Sequence, residues 1–398
     1  MTDAPFVVVG GGIVGASVAY HLGERTDAPV VVYERGELAA ETTFRATAMV
    51  GVAGPDPYHR LKEYGFRLYN EFFADPEADP RYRQSGRLRV ATSPDGARRL
   101  EALAAAAGDP DPDPPAAAKY ANSLVDYVPG ERLHERFLLP PLDVESAEGA
   151  LYRPDYGYVQ DESRTLGPRA LAMEFVERAR DHGATFETNT EVTDVRVDDG
   201  GVTGVELAGT EVVEAEAVVC AAGPWNQKLA ARAGVDLPVG HVLSPVFALE
   251  LDDPLAYTLP AIKSHESGVG VHPKRDDTVL VTYTPDDPSR HLGDGPCSVD
   301  DTDAAAFREP ALAAAEQLLP VLADADLVDE WVGVGTSTPD GKPIVGRTPV
   351  DGLALAVTMA GIQYAPAVGS IVARQLADGE ETAYDDAVSL SRFDGDGG

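Results

Sequence analysis

The chain opens on an uncharged β-branched run, Val7, Val8 and Val9. A run of this kind suits a strand covered on both faces of a parallel sheet. The pattern then predicts a helix over 13–22 and a second apolar strand over 30–33, which ends at Glu34. An amphipathic helix is expected over 58–73, with Leu61, Tyr64, Leu68 and Phe72 on one face. A short alternating strand follows at 86–91, and an Ala-rich helix at 97–107. The Pro/Asp run 109–115 cannot be helical and reads as a turn within a domain.

Beyond it, 149–159 looks extended, and 166–182 is a helix stopped by Gly183. A strand at 184–190 leads into an antiparallel meander over 192–197, 202–207 and 211–216, and 218–222 is again fully apolar. Segments 243–250, 268–272 and 278–284 alternate apolar and polar residues, as strands with one face toward a cavity would. A helix at 303–319, strands at 327–335 and 353–357 and a long helix at 361–376 complete the series, and the polar tail from Asp385 is expected to fray. Elements of one nucleotide fold thus occur in three separated blocks. The fold class is α/β, a Rossmann-like dinucleotide-binding domain interleaved with an antiparallel-sheet α+β substrate domain. The first is placed at 1–57, 145–240 and 327–398, and the cap at 58–144 and 241–326.

Between the first strand and helix, Gly10, Gly12 and Gly15 spell G-x-G-x-x-G. Gly10 serves the tight turn, Gly12 lets backbone approach a pyrophosphate, and Gly15 lets helix and strand pack closely. The helix N-terminus offers unpaired N–H groups and a partial positive charge to phosphates. Glu34, nineteen residues after Gly15, ends the second strand, where a carboxylate accepts hydrogen bonds from ribose hydroxyls. Strand, turn, helix, strand and acid together point to a bound dinucleotide, without separating FAD from NAD.

Composition narrows the setting. Across 398 residues there are 66 acidic and 32 basic side chains, a net charge of -34 spread along the chain. That balance argues against nucleic acid or an anionic membrane as partner, and suits the solvated acidic surface of a halophilic protein. Cys220 and Cys297 form neither metal spacing nor disulfide framework, and no metal site is expected. The N-terminus lacks the basic region of a signal peptide, and no run is long enough to span a membrane, so a cytoplasmic location is expected.

Five segments in order carry a resemblance over nearly the whole length: VVVGGGIVGASVAYHL with Glu34; TTFRATAMV; GYV with the following helix to HGA; AVVCAAGPW; and TPDGKPIVG followed by GIQYAPAVG. The chain resembles the D-amino-acid-oxidase-like family of FAD-dependent oxidoreductases, which includes glycine oxidase, sarcosine oxidase and dimethylglycine dehydrogenase. The resemblance implies FAD as cofactor, held by Gly10, Gly12, Ile13, Val14, Gly15, Glu34, Arg35, Thr42, Thr43, Arg45, Ala46, Val192, Ala222, Gly223, Trp225, Gly361, Ile362 and Gln363. It also places the N-terminus of the last helix at the flavin N1–C2=O edge, where the helix dipole stabilises negative charge, and Pro366 is expected within its first turns, where missing N–H groups cost little.

Two departures from the family carry information. Arg45 stands where dimethylglycine and sarcosine dehydrogenases have a flavin-linking histidine, and no cysteine follows Cys297, so the FAD is expected to be non-covalent. The arginine that clamps a substrate carboxylate in the strand before TPDG is missing, with Gly335 or its neighbours in its place. No arginine lies between Arg308 and Arg347, and the candidate replacements are Arg45, Lys263, His272 and Lys342. Tyr283 is a further candidate to face the cavity, with strand packing the plainer reading, and His241 and His265 are weaker candidates.

The implied reaction is oxidation of a small amine or N-methyl amino acid, with hydride passing from carbon to flavin N5 and His272, Lys342 and Arg45 as catalytic candidates. Oxygen or an electron carrier would accept the electrons. The alternatives are a 2-hydroxy-acid or glycerol-phosphate dehydrogenase, for which His272 is a candidate base, and a flavin-carrying subunit of a larger oxidase. The sequence does not settle the oligomeric state.

Overall fold

The strand Phe6–Val9 is buried at all four positions because it lies in the middle of a six-stranded sheet. The strands run in the order Ile344–Arg347, Leu353–Val357, Ala217–Cys220, Phe6–Val9, Val30–Tyr33 and Thr185–Glu187. Five are parallel, and Ile344–Arg347 is an antiparallel edge. Sandwiched β-branched residues cover both faces, as a parallel sheet requires. This computed structural model describes residues 4–107, 109, 124–137, 146–161, 165–209, 211–255, 259–284, 291–292 and 303–394. Most of the Pro/Asp run 109–115 and Cys297 lie outside the described residues.

On one side of this sheet the helices Ile13–Gly23, Pro168–Asp181 and Gly361–Ala373 pack together, with Tyr58–Ala74 laid against the last. The crossing of first and last helix is close. A Cβ at Gly369 would stand 2.7 Å from the backbone carbonyl of Ser17, and the Ser17 hydroxyl donates to Ala365 O at 2.8 Å. The meander Val192–Asp198, Gly201–Leu207, Val212–Glu214 forms its own antiparallel sheet, as the alternation predicts.

The second layer is a large mixed sheet. Gly240–Glu250 pairs with Asp326–Ser337 on one edge and with Thr278–Tyr283 on the other. The sheet continues through Val269–Arg275, Ala261–Ser264, Arg87–Ala91, Gly149–Arg153 and Asp126–Pro129. Ala261–Ser264 and Arg87–Ala91 are its one parallel pair among the described residues. A small antiparallel sheet of Met49–Gly51, Tyr156–Gln160 and Arg81–Gln84 sits beside them.

Several expectations are corrected. The extended stretch 149–159 is two strands, Gly149–Arg153 and Tyr156–Gln160, in two different sheets. Gly149–Arg153 and Asp326–Ser337 both pair in the large sheet. The buried face of Tyr58–Ala74 runs through Leu61, Gly65, Tyr69 and Phe72, because the last helix crosses over Gly65. Pro366 is the sixth residue of its helix, past the turn in which an N–H is dispensable. The tail does not fray from Asp385: a short helix Asp385–Val388 buries Val388 completely, and Tyr58 donates to Ala387 O at 3.0 Å. Among the described residues no helix is long and apolar enough to cross a membrane.

Candidate active site

The glycine turn has the form its spacing implies. Gly10 has φ +111°, and a Cβ there would meet Ala221 O at 2.7 Å. A Cβ at Gly15 would collide with the Gly10 carbonyl oxygen, so Gly15 serves helix–strand packing. The helix Ile13–Gly23 has neither a side-chain cap at Gly12 nor an acid in its first turn, which leaves its positive end open to an anion. Thr43 Oγ1 accepts from Ile13 N–H at 3.1 Å, and Thr42 Oγ1 donates to Val334 O at 3.2 Å. These two bonds tie the segment TTFRATAMV to the first helix on one side and the large sheet on the other. The Glu34 carboxylate accepts from Gly11 N–H at 2.7 Å and Gly36 N–H at 2.8 Å, which holds it at the turn. The Arg35 guanidinium lies 3.9 Å over the Trp225 ring.

A cavity of about 530 Å³ extends from this turn to the large sheet. Every residue expected to hold the cofactor lines it except Gly15. Gly223, with φ +54° and open space where a Cβ would stand, turns the chain out of the strand Ala217–Cys220 beside the cavity. The N-terminus of the helix Gly361–Ala373 also faces the cavity, without side-chain cap or first-turn acid. A Cβ at Gly361 would sit 3.5 Å from Ile13 and 3.6 Å from Val14, so the two helix starts meet here. Gln363 Oε1 is buried at this point with no hydrogen-bond partner. Two open helix N-termini, a glycine cradle and an orphaned amide oxygen fit a long anionic dinucleotide. The buried Cys220 thiol is pushed up to about 12 by burial and stays protonated.

The far wall comes from the large sheet. Arg87, Lys263, His272, Thr282 and Thr284 line it. His272 Nε2 meets Thr282 Oγ1 at 3.1 Å, and its Nδ1 is buried without a partner. Burial, reinforced by the charges of Arg87 and Lys263, lowers its pKa to about 3, so the ring is neutral at neutral pH. Arg45 lines the cavity, but its guanidinium is held by Glu41 Oε2 at 2.9 Å. Lys342, expected among the catalytic residues, does not line the cavity: its Nζ lies 4.5 Å over the Tyr58 ring, beside Asp340. His241 is buried with Nε2 2.7 Å from Pro224 O. Neither His241, His265 nor Tyr283 lines the cavity.

Gly333 and Gly335 line the cavity on the strand where the family carries its arginine. A Cβ at Gly335 would already lie 3.3 Å from Val242 Cγ2. Sequence reasoning missed Arg87. The signal was available in the alternation Arg87-Leu88-Arg89-Val90, which buries Leu88 and Val90 and sends the arginines to the opposite face. Among the described residues no cluster of His, Cys, Asp and Glu could hold a metal.

Comparison with known proteins bears on the cofactor. The family described as FAD dependent oxidoreductase (DAO) matches residues 6–375. The chain is 27% identical over 411 residues to 4-methylaminobutanoate oxidase (formaldehyde-forming) of Paenarthrobacter nicotinovorans, covering 99% of this chain and 46% of that protein. It is 25% identical to mitochondrial dimethylglycine dehydrogenase of Rattus norvegicus, covering 86% of this chain and 39% of that protein. Against these two the chain spans less than half their length. It is 28% identical to glycine oxidase of Geobacillus kaustophilus, covering 98% and 97%. The fold is shared with L-proline dehydrogenase from P. horikoshii at a TM-score of 0.80 and 20% identity, with 98% of each chain covered. With the matched region running from the first strand to the end of the last long helix, the chain belongs to the FAD-dependent oxidoreductase family.

Proposed function

We propose that this protein oxidises a small amine or N-methyl amino acid at a carbon next to nitrogen, with FAD held non-covalently in the cavity. The observation that supports this reading most is the continuity of one cavity from the Gly10–Gly15 turn, past the N-terminus of Gly361–Ala373, to the wall of Arg87, Lys263 and His272. FAD would be held by the glycine turn, Glu34, the 42–46 segment and the last helix, and supplies a hydride acceptor. The chain's own residues position the substrate. The two helix N-termini, which meet beside Gly361, would stabilise negative charge on the diphosphate and on the flavin edge. Neutral His272 offers a hydrogen-bond partner rather than a charge. No protein base is needed when the amine binds unprotonated. The relatives named above for 4-methylaminobutanoate, dimethylglycine and glycine support this substrate class.

Arg45 in place of a linking histidine supports non-covalent FAD, which predicts that acid precipitation leaves all the flavin in the supernatant. The acceptor, oxygen or a carrier, is read from whether turnover in air yields hydrogen peroxide. Incubation with N-methyl amino acids should give a carbonyl product and a free amine in equal amounts. Recovery of a keto acid from hydroxy acids alone would overturn the reading. A cytoplasmic, high-salt setting accords with the net charge of -34, and predicts a melting temperature that rises with potassium chloride.

A further inference from the structure

Two cations on the sheet wall lie outside the segments expected to hold the cofactor. Arg87 begins the strand Arg87–Ala91, and Lys263 belongs to Ala261–Ser264, which pairs with it in parallel. Both act electrostatically on His272, and all three groups line the same cavity. Lys263 Nζ donates to Thr284 Oγ1 at 2.9 Å, and the Arg87 guanidinium lies 5.3 Å from the centre of the Tyr156 ring. Among the described residues, the four acids that line the cavity are Glu34, Glu37, Glu41 and Glu191, all from the cofactor-binding segments and none from this wall.

Of the other cations lining the cavity, Lys228 is exposed on the helix Asn226–Arg232, next to the expected cofactor contacts Gly223 and Trp225, and the rest are engaged elsewhere. Arg45 is paired with Glu41, Arg35 is stacked on Trp225, and Lys342 lies outside the cavity. The strand Asp326–Ser337 supplies glycines where an arginine would otherwise reach in, and Val242 fills the space beside Gly335.

We propose that Arg87 and Lys263 together bind the carboxylate of the substrate, so that the clamp sits on the parallel strand pair of the large sheet. Arg87 supplies a planar fork able to meet both carboxylate oxygens, and Lys263 supplies a point charge fixed by Thr284. The substrate is then an amine that also carries a carboxylate, and alkyl amines without one are rejected. The proposal rests on the amine reading for the rest of the substrate.

The test is equilibrium binding to the holoprotein without turnover. Acetate and propionate are titrated against acetamide and propionamide, following the change in the flavin spectrum and the heat of binding. Saturable binding of the acids but not the amides is expected. Arg87→Gln and Lys263→Gln should each weaken it tenfold or more, Arg87→Lys should recover part of the loss, and Lys342→Gln should leave it unchanged. FAD content and melting temperature report folding, and Lys263→Gln carries the test should Arg87→Gln fail to fold. Equal acid binding in wild type and Lys263→Gln, or no saturable acid binding by wild type, would overturn the proposal. If amines fail to reduce the flavin while acid binding still depends on Arg87 and Lys263, the amine reading fails and the clamp stands. If amines lacking a carboxylate are oxidised as well as those bearing one, the clamp fails and the amine reading stands.

Discussion

The Tyr69 hydroxyl donates a 2.7 Å hydrogen bond to the carbonyl oxygen of Ile362. In the helix Gly361–Ala373 that oxygen would ordinarily accept from residue 366, which is a proline and has no N–H. Tyr69, on the helix Tyr58–Ala74, therefore supplies the donor that Pro366 removes, one turn behind the helix start that faces the cavity. Tyr69→Phe should cost about 1–3 kcal/mol, the penalty for a buried acceptor left unpaired. Pro366→Ala restores the backbone donor, so Tyr69→Phe should cost less in that background. A double-mutant cycle by urea unfolding reads the coupling, and additive effects would contradict this pairing.

Gly369 is small because the first helix passes over it. Its Cβ would meet the Ser17 backbone carbonyl carbon and oxygen at 2.7 Å each, atoms that no change of the Ser17 side chain removes. Gly369→Ala should destabilise by roughly 1–3 kcal/mol, and Ser17→Ala should not rescue it. Thermal unfolding of the single and double variants decides.

Glu34 is fixed by the two backbone N–H groups of Gly11 and Gly36, so its charge is aimed before any ligand arrives. Glu34→Gln turns two charge-assisted bonds into one neutral bond and one donor–donor contact. The affinity for FAD, followed by the fluorescence of released flavin, should fall by about tenfold or more. Unchanged retention would show that this carboxylate serves the turn alone.

His272 gives the stability a defined pH dependence. Burial first, and then Arg87 and Lys263, hold its pKa at about 3 in the fold against an ordinary 6.5. Between those values the unfolded chain binds the extra proton, so the stability due to a neutral His272 is full above the upper value and lost as pH falls toward the lower one. The stability advantage of wild type over His272→Gln should therefore shrink from pH 7 to pH 4. Denaturant curves at both pH values test this, and a constant or growing difference would contradict it.

The parts legible in the sequence are those whose chemistry is local. Gly10 and Gly15 announce a strand–turn–helix because the turn's positive φ and the close helix–strand contact demand glycine there, and the cavity is built around that turn. Gly65 was invisible as a core residue because it has no apolar signal, and only the crossing of the last helix, with Gln363 O 3.3 Å from a would-be Cβ, explains its burial. The Tyr69–Pro366 compensation joins residues far apart in the chain, and periodicity sees neither partner. Arg87 could be assigned to a face by alternation, but which strand lies beside it depends on a parallel pairing that no local pattern encodes. The tail misled through composition, since its few apolar residues, Val388 with Leu390 and Phe393, are enough to dock it.

The most direct measurement is the flavin absorbance of the purified holoprotein as N-methyl amino acids, amino acids and 2-hydroxy acids are added without oxygen. Loss of the yellow band with one or more of the amines, and its persistence with the hydroxy acids, is the predicted result. A colourless protein that takes up no FAD, or a yellow band that only the hydroxy acids bleach, would contradict it.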